Sequence, residues 1–234
     1  MNYSRGIWLA ALSFALLQRA CGQGFVNLDF ESTTLAPGGA PTTVSASSAF
    51  PGWTVLFNTT SQSSVLYNYT ASGDSSVTLL AGGSNSPIPV YDGSFSAMLF
   101  AGASGDPSLT QTGLVPSDAE SLRFYIYFGG TTYFSVSLNG QAIRIAALQP
   151  LALNSYNLIG GDISQFAGQV ATLQITSVYP TTPHLIGGGG GGEVYPIGID
   201  DIQFSSSPVP EPGVLSLLGI SLIILSPRIR RHDF

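Results

Sequence analysis

Lysine is absent from the 234 residues, and all seven basic residues are arginine. Arg5, Arg228, Arg230 and Arg231 flank the two apolar ends, and Arg19 stands beside a predicted cleavage site. Only Arg123 and Arg144 remain in the middle, so the body is acidic and cannot present the basic face that a nucleic-acid partner requires. Charged residues make up 9% of the chain, against roughly 25% in an ordinary domain. The single cysteine, Cys21, lies in the N-terminal segment, which excludes a disulfide or cysteine–metal framework from the rest. The two histidines are His184, beside the glycine run 187–192, and His232 in the basic tail. A polyglycine neighbour is a poor support for a general base, so a Ser-His-Asp site is not expected. Between the two ends no long helical period appears.

What is present is apolar and aromatic. Hydrophobic residues are 44% of the chain, with 13 Phe, and the polar remainder is Ser, Thr, Asn, Gln and Gly. Disordered chains combine few apolar residues with high charge, so this body is expected to fold. Without the two ends about 180 residues remain, the size of one domain.

Each end reads as an address. At the front, Arg5 precedes an apolar stretch over residues 7–17, and Ala20-Cys21-Gly22 offers small residues for cleavage. That is the pattern of a signal peptide over residues 1–22. At the back, Pro210-Glu211-Pro212 precedes a short apolar run over 214–225 and then Arg228, Arg230 and Arg231. Twelve residues in a helix span ~18 Å against a bilayer core of ~30 Å, a short transmembrane helix. Basic residues after an apolar run stay cytoplasmic, which leaves the body outside. Proline cannot enter a helix interior, so Pro210 and Pro212 hold Glu211 on an extended segment.

This order of motif, apolar run and basic end resembles the PEP-CTERM sorting signal of Gram-negative bacteria. The resemblance implies that Pro210, Glu211 and Pro212 are recognised by an exosortase, an integral-membrane cysteine protease. It would cleave within the sorting segment 207–234 as the protein, exported through the inner membrane, reaches the cell surface or extracellular matrix, often alongside exopolysaccharide production. In a bacterial protein the N-glycosylation patterns at Asn58 and Asn68 are coincidental.

The body over 23–206 reads as β. Residues 26–31 alternate strictly, with Val26, Leu28 and Phe30 on one face. Residues 121–128 place Leu122, Phe124, Ile126 and Phe128 inward. Phe134, Val136 and Leu138, then Asn139-Gly140, predict a hairpin whose second strand runs to Ile145. Residues 170–178 alternate again, and further strands are predicted over 53–57, 65–70, 75–80 and 94–100. Asp162 predicts one helical turn pinned by Ile163 and Phe166. Residues 35–48 and 184–193 read as loops. Short strands with polar turns predict an all-β, antiparallel two-sheet sandwich or jelly roll, flanked by the N-terminal signal helix and the C-terminal membrane helix.

In residues 197–204 the apolar phase slips between Ile199 and Ile202, which predicts a β-bulge at Asp200-Asp201. The stretches 27–31, 51–53, 162–169 and 199–204 resemble jelly-roll carbohydrate-binding modules of the broad galactose-binding-like group. In such folds the first and last strands lie side by side and can share a structural Ca²⁺. The resemblance makes Glu31 and Asp201 the first candidate ligands, with Asp29 and Asp200 in reserve; solvated carboxylates at a strand end are the alternative. For sugar stacking, Tyr125 and Tyr127 share the outward face of one strand, as do Tyr67 and Tyr69 if Leu66 points inward. The alternative is that these aromatics simply pack under a second layer. Trp53, after Pro-Gly, is expected to plug the core. Together these features describe an exported, non-catalytic surface or matrix protein with extracellular polysaccharide as a candidate partner. A small extracellular glycoside hydrolase is the other reading, since two facing carboxylates suffice for that chemistry.

Overall fold

A computed structural model describes residues 24–70, 74–83, 85–102, 104–129, 133–179 and 196–210. The signal segment, the glycine run, and the tail with Glu211, Pro212, Arg228, Arg230 and Arg231 lie outside the described residues. Among those described, no helix is long and apolar enough to cross a membrane.

Among the described residues, two sheets form the body. The larger has eight strands: β1 (Thr42–Ser45), β4 (Ser64–Tyr67), β5 (Ser76–Leu80), β6 (Ser96–Phe100), β14 (Ile197–Ser205), β8 (Ser121–Phe128), β12 (Ser155–Asp162) and β11 (Ala146–Ala147), in that spatial order. The smaller has six: β10 (Gln141–Ala142), β9 (Phe134–Leu138), β13 (Val170–Ser177), β7 (Pro107–Leu114), β2 (Thr54–Phe57) and β3 (Thr60–Ser61). The period-2 pattern explains how they pack. In β8 the fully buried apolar residues are Leu122, Phe124 and Ile126, while Arg123, Tyr125 and Tyr127 point to the opposite face. The six-stranded sheet answers with Val55, Leu109, Val136, Leu138, Leu173 and Ile175, all in the same core. Full burial of each such side chain contributes about 1.5–3 kcal/mol. Trp53 joins this core, 6% exposed, and its indole donates to the Asn27 carbonyl at 2.8 Å.

The Asn139-Gly140 turn has positive φ at both residues, 51° and 75°, as the hairpin requires, but its second strand ends at Ala142 rather than Ile145. Ile163 and Phe166 are buried around the 3₁₀ turn Ser164–Phe166, whose Ser164 N–H donates to Asp162 Oδ1.

Three expectations are corrected. Residues 26–31 form no strand: Asn27 and Phe30 adopt φ of 51° and 59°, which belongs to turns. The turn is held by Asn27, whose Oδ1 accepts from Ser32 N–H and whose amide donates to the Pro51 carbonyl. It tucks Phe30 completely into the core, 5.8 Å from both Phe50 and Trp53 ring centres. The stretch 35–48 is not all loop, since β1 and a short helix, α1 (Ala46–Ala49), begin within it. One strand pair departs from the antiparallel scheme: β4 runs parallel to β5, with Leu66 opposite Thr78.

Candidate functional site

The outward face of the eight-stranded sheet carries a layer of its own. Tyr125 and Tyr127 on β8, Gly198 on β14 and Tyr156 on β12 come together there, because Gly198 pairs with Tyr127, and Tyr127 with Tyr156. The irregular segment between β5 and β6 folds over them. Ile88 packs with Leu80 and Met98 into a small second core that Val90 and Tyr127 adjoin. Tyr91, from the same segment, stacks on Tyr125 at 3.9 Å between ring centres and 22° between planes. Tyr156 lies 5.1 Å from Tyr91 and 5.5 Å from Tyr127. All four rings remain half-buried. Gly198 makes the arrangement possible: a Cβ there would stand 2.6 Å from Ile88 and 2.8 Å from the Tyr156 hydroxyl.

Two carboxylates anchor the covering segment. Glu31 Oε1 accepts the backbone N–H groups of Ser94 and Phe95, each at 2.8 Å. Gly93 before them has φ +62°, and a Cβ would fall 2.5 Å from the Glu31 carboxylate. Asp200, 1% exposed, accepts the Ser96 hydroxyl at 2.6 Å, the Asp92 N–H at 3.4 Å and the Asp201 N–H at 2.7 Å. Burial pushes the Asp200 carboxyl up to about 7, against the pull of these donors and with a further push from Glu31. Burial, followed by the neighbouring Tyr125, raises the Tyr91 phenol. Burial also raises Tyr156, with Asp200 and Tyr127 adding to it. The predicted bulge is present: the ladder between β14 and β8 shifts between Asp200 and Gln203, and Asp201 has φ 47°.

Of the tyrosines named from the sequence, Tyr125 and Tyr127 share this face. Tyr67 does not face outward: it is 4% exposed and its hydroxyl donates to the Ala36 carbonyl. The residue after β4, Asn68, has φ 58°, so the alternation that would set Tyr67 and Tyr69 on one face is broken between them. Tyr69 lies half-buried, its hydroxyl paired with Thr43. Tyr91 and Tyr156 went unnoticed in the sequence.

The four carboxylates split. Asp29 and Asp201 line a shallow cleft of about 370 Å³ with Asn27 and Ser32, whereas Glu31 and Asp200 turn to the covering segment. Asp29 accepts the Glu31 N–H, and both Asp201 oxygens accept the Gln203 amide. The first and last segments do lie side by side, with Ile202 N–H on the Leu28 carbonyl and Phe25 stacked on Phe204. But among the described residues no group of three or more His, Cys, Asp or Glu is placed to hold a metal ion. With the carboxylates engaged by N–H and O–H donors, Ca²⁺ added after chelation is expected to leave the melting temperature unchanged. A rise of several degrees in scanning calorimetry would mean that the side chains re-form around an ion.

No protein-family model and no curated protein matches the chain. Among solved structures, it is similar to TmCBM61 in complex with β-1,4-galactotriose, at 11% identity and a TM-score of 0.39, over 77% of this chain and 96% of that one. It is also similar to the K1 cleaved adhesin domain of Lys-gingipain from Porphyromonas gingivalis W83, at 13% identity and a TM-score of 0.39, over 70% of this chain and 96% of that one.

Proposed function

We propose that this is an exported, non-catalytic surface or matrix protein that binds glycans through the face bearing Tyr91, Tyr125, Tyr127 and Tyr156. Its C-terminal segment, on this reading, is a sorting signal handled by an exosortase-like membrane protease. The observation that carries the binding reading is the cluster of four half-buried phenol rings on the outward face of the eight-stranded sheet. Aromatic rings offer the flat apolar faces on which pyranose rings stack, and phenol hydroxyls add directional hydrogen bonds. The ring stack with Tyr125 and the two anchoring carboxylates hold Tyr91 in place, so little freedom is lost on binding. The sorting reading rests on the sequence order of Pro-Glu-Pro, apolar run and arginines.

Affinity electrophoresis of the secreted protein through gels containing individual soluble polysaccharides tests the binding. At least one neutral polysaccharide is expected to retard the wild type. Tyr91→Ala and Tyr125→Ala should each weaken retardation about tenfold, the loss of one well-placed aromatic contact. A panel on which the wild type runs freely would remove the glycan reading.

A further inference from the structure

The chain leaves the sandwich under a clamp. Arg123 on β8 donates from Nη2 to the carbonyl oxygens of Ser207 at 2.9 Å and Pro208 at 3.2 Å, and from Nε to the Ser121 hydroxyl at 3.0 Å. Ser121, fully buried, in turn donates to the same Ser207 carbonyl at 2.7 Å. One residue earlier on β8's approach, Glu120 N–H donates to the Ser205 carbonyl. Arg123 is one of two cationic side chains in the body, and its guanidinium is directed at backbone carbonyls of the exit segment. Pro208 and Pro210 then form one wall of a cleft of about 500 Å³ whose other lining includes Glu120, Arg144 and Asp162. Glu211 follows directly in sequence.

We infer that Arg123 and Ser121 are positioning residues for the tail. They hold the chain at Pro208, so that the Pro-Glu-Pro step begins at a fixed short distance from the rim of the folded sandwich. The inference rests on the sorting reading above and adds a requirement to it: the protease acts on the motif with the folded body alongside. The physical reason is preorganisation. Glu211 lies three positions after Pro208, a reach of ~10 Å when extended. Fixing the start of so short a segment, with prolines restricting the rest, removes most of the freedom that binding would otherwise have to remove. Freeing residues 207–210 returns that freedom to the unbound state and is expected to slow recognition about tenfold.

The test follows loss of the tail from the full chain by pulse–chase and mass spectrometry, in cells that process the wild type. Glu211→Ala comes first: if it is cut as the wild type is, the sorting reading itself is wrong, and this inference goes with it. With Glu211→Ala blocked, Arg123→Ala is expected to process about tenfold more slowly. A six-residue Gly-Ser insertion between Pro208 and Val209 leaves the clamp and the fold intact but moves the motif from the rim. It is expected to slow processing to the same degree, and the two changes combined should be no slower than either. A wild-type or faster rate in either single variant overturns the inference. The insertion variant guards against misfolding, because its purified body should melt where the wild type does.

Discussion

Raising the pH from 4 to 8 is expected to strip about 4 kcal/mol of folding stability from this domain through Asp200, and Asp200→Asn should abolish that loss. The carboxyl is pushed from an ordinary 3.8 to about 7 in the folded state, chiefly by burial. The sign follows from which state holds the proton. Below pH 4 both folded and unfolded chains are protonated here, and the group exerts no drag. Between 4 and 7 the unfolded chain releases its proton while the folded one retains it, so each pH unit favours unfolding by about 1.4 kcal/mol. Above 7 the folded chain ionises as well, and the loss is complete. Asn keeps one amide oxygen for the Asp201 N–H, turns its NH₂ toward the Ser96 hydroxyl oxygen, and carries no charge to desolvate. Urea unfolding at pH 4, 6 and 8 decides it: the wild-type midpoint should fall steadily while that of Asp200→Asn stays nearly level. Asp74 and Asp162 do not mimic the effect. Hydrogen bonds from Ser104 and Ser164 lower their pKa values, so they add stability above pH 4 and lose it in stronger acid, outside this window. A wild-type midpoint independent of pH across 4 to 8 would show that Asp200 is ionised throughout, its three donors outweighing its burial.

The same residue marks the boundary of what the sequence made legible. Alternation is a direct consequence of strand geometry, so β8, β9, β13 and β14 could be read from residue order, and the phase slip at Asp200-Asp201 revealed the bulge. Residues 26–31 show the limit of that rule. A turn with two left-handed residues can bury Phe30 and leave its neighbours outside, producing the same string as a strand. The strands β7 and β12 were missed because Ser, Thr, Asn and Gly interrupt their apolar pattern. At the candidate site, the pair Tyr125 and Tyr127 was visible because both sit on one regular strand. Tyr91 was not, since it arrives on an irregular segment with no period. Its position depends on Glu31 and Asp200, distant in sequence, meeting N–H and O–H groups of residues 92–96. Acidic residues near both ends of the body suggested an ion. In the fold, Glu31 and Asp200 meet N–H and O–H groups of the covering segment, while Asp29 and Asp201 line a shallow cleft.

Asn68→Ala is expected to destabilise the domain by about 3–5 kcal/mol, as much as the loss of a large core side chain. Nothing in its sequence context, an Asn-Tyr-Thr tripeptide, signals this. Asn68 is fully buried and has φ 58°, a conformation that asparagine tolerates better than alanine does. Its amide nitrogen donates to the carbonyls of Gly39 at 3.0 Å and Gly82 at 3.3 Å, and its Oδ1 accepts the Ala81 N–H at 2.7 Å. Its own N–H bonds to the Leu79 carbonyl. One side chain thereby joins the end of β4, the segment after β5 and the loop before β1, where the parallel strand pair replaces a hairpin. Alanine would leave the buried Ala81 N–H without a partner, at about 1–3 kcal/mol, and would strip a donor from the half-buried Gly39 and Gly82 carbonyls, which water can partly replace. Asn68→Asp separates hydrogen bonding from shape. The carboxylate can still accept from Ala81, but it turns negative oxygen toward the two carbonyls. Its penalty should therefore exceed that of alanine at pH 8 and shrink at pH 4, where the protonated acid can donate again. Urea midpoints of both variants at the two pH values would show the pattern. A loss below about 1 kcal/mol for Asn68→Ala would mean that the three segments are held together without it.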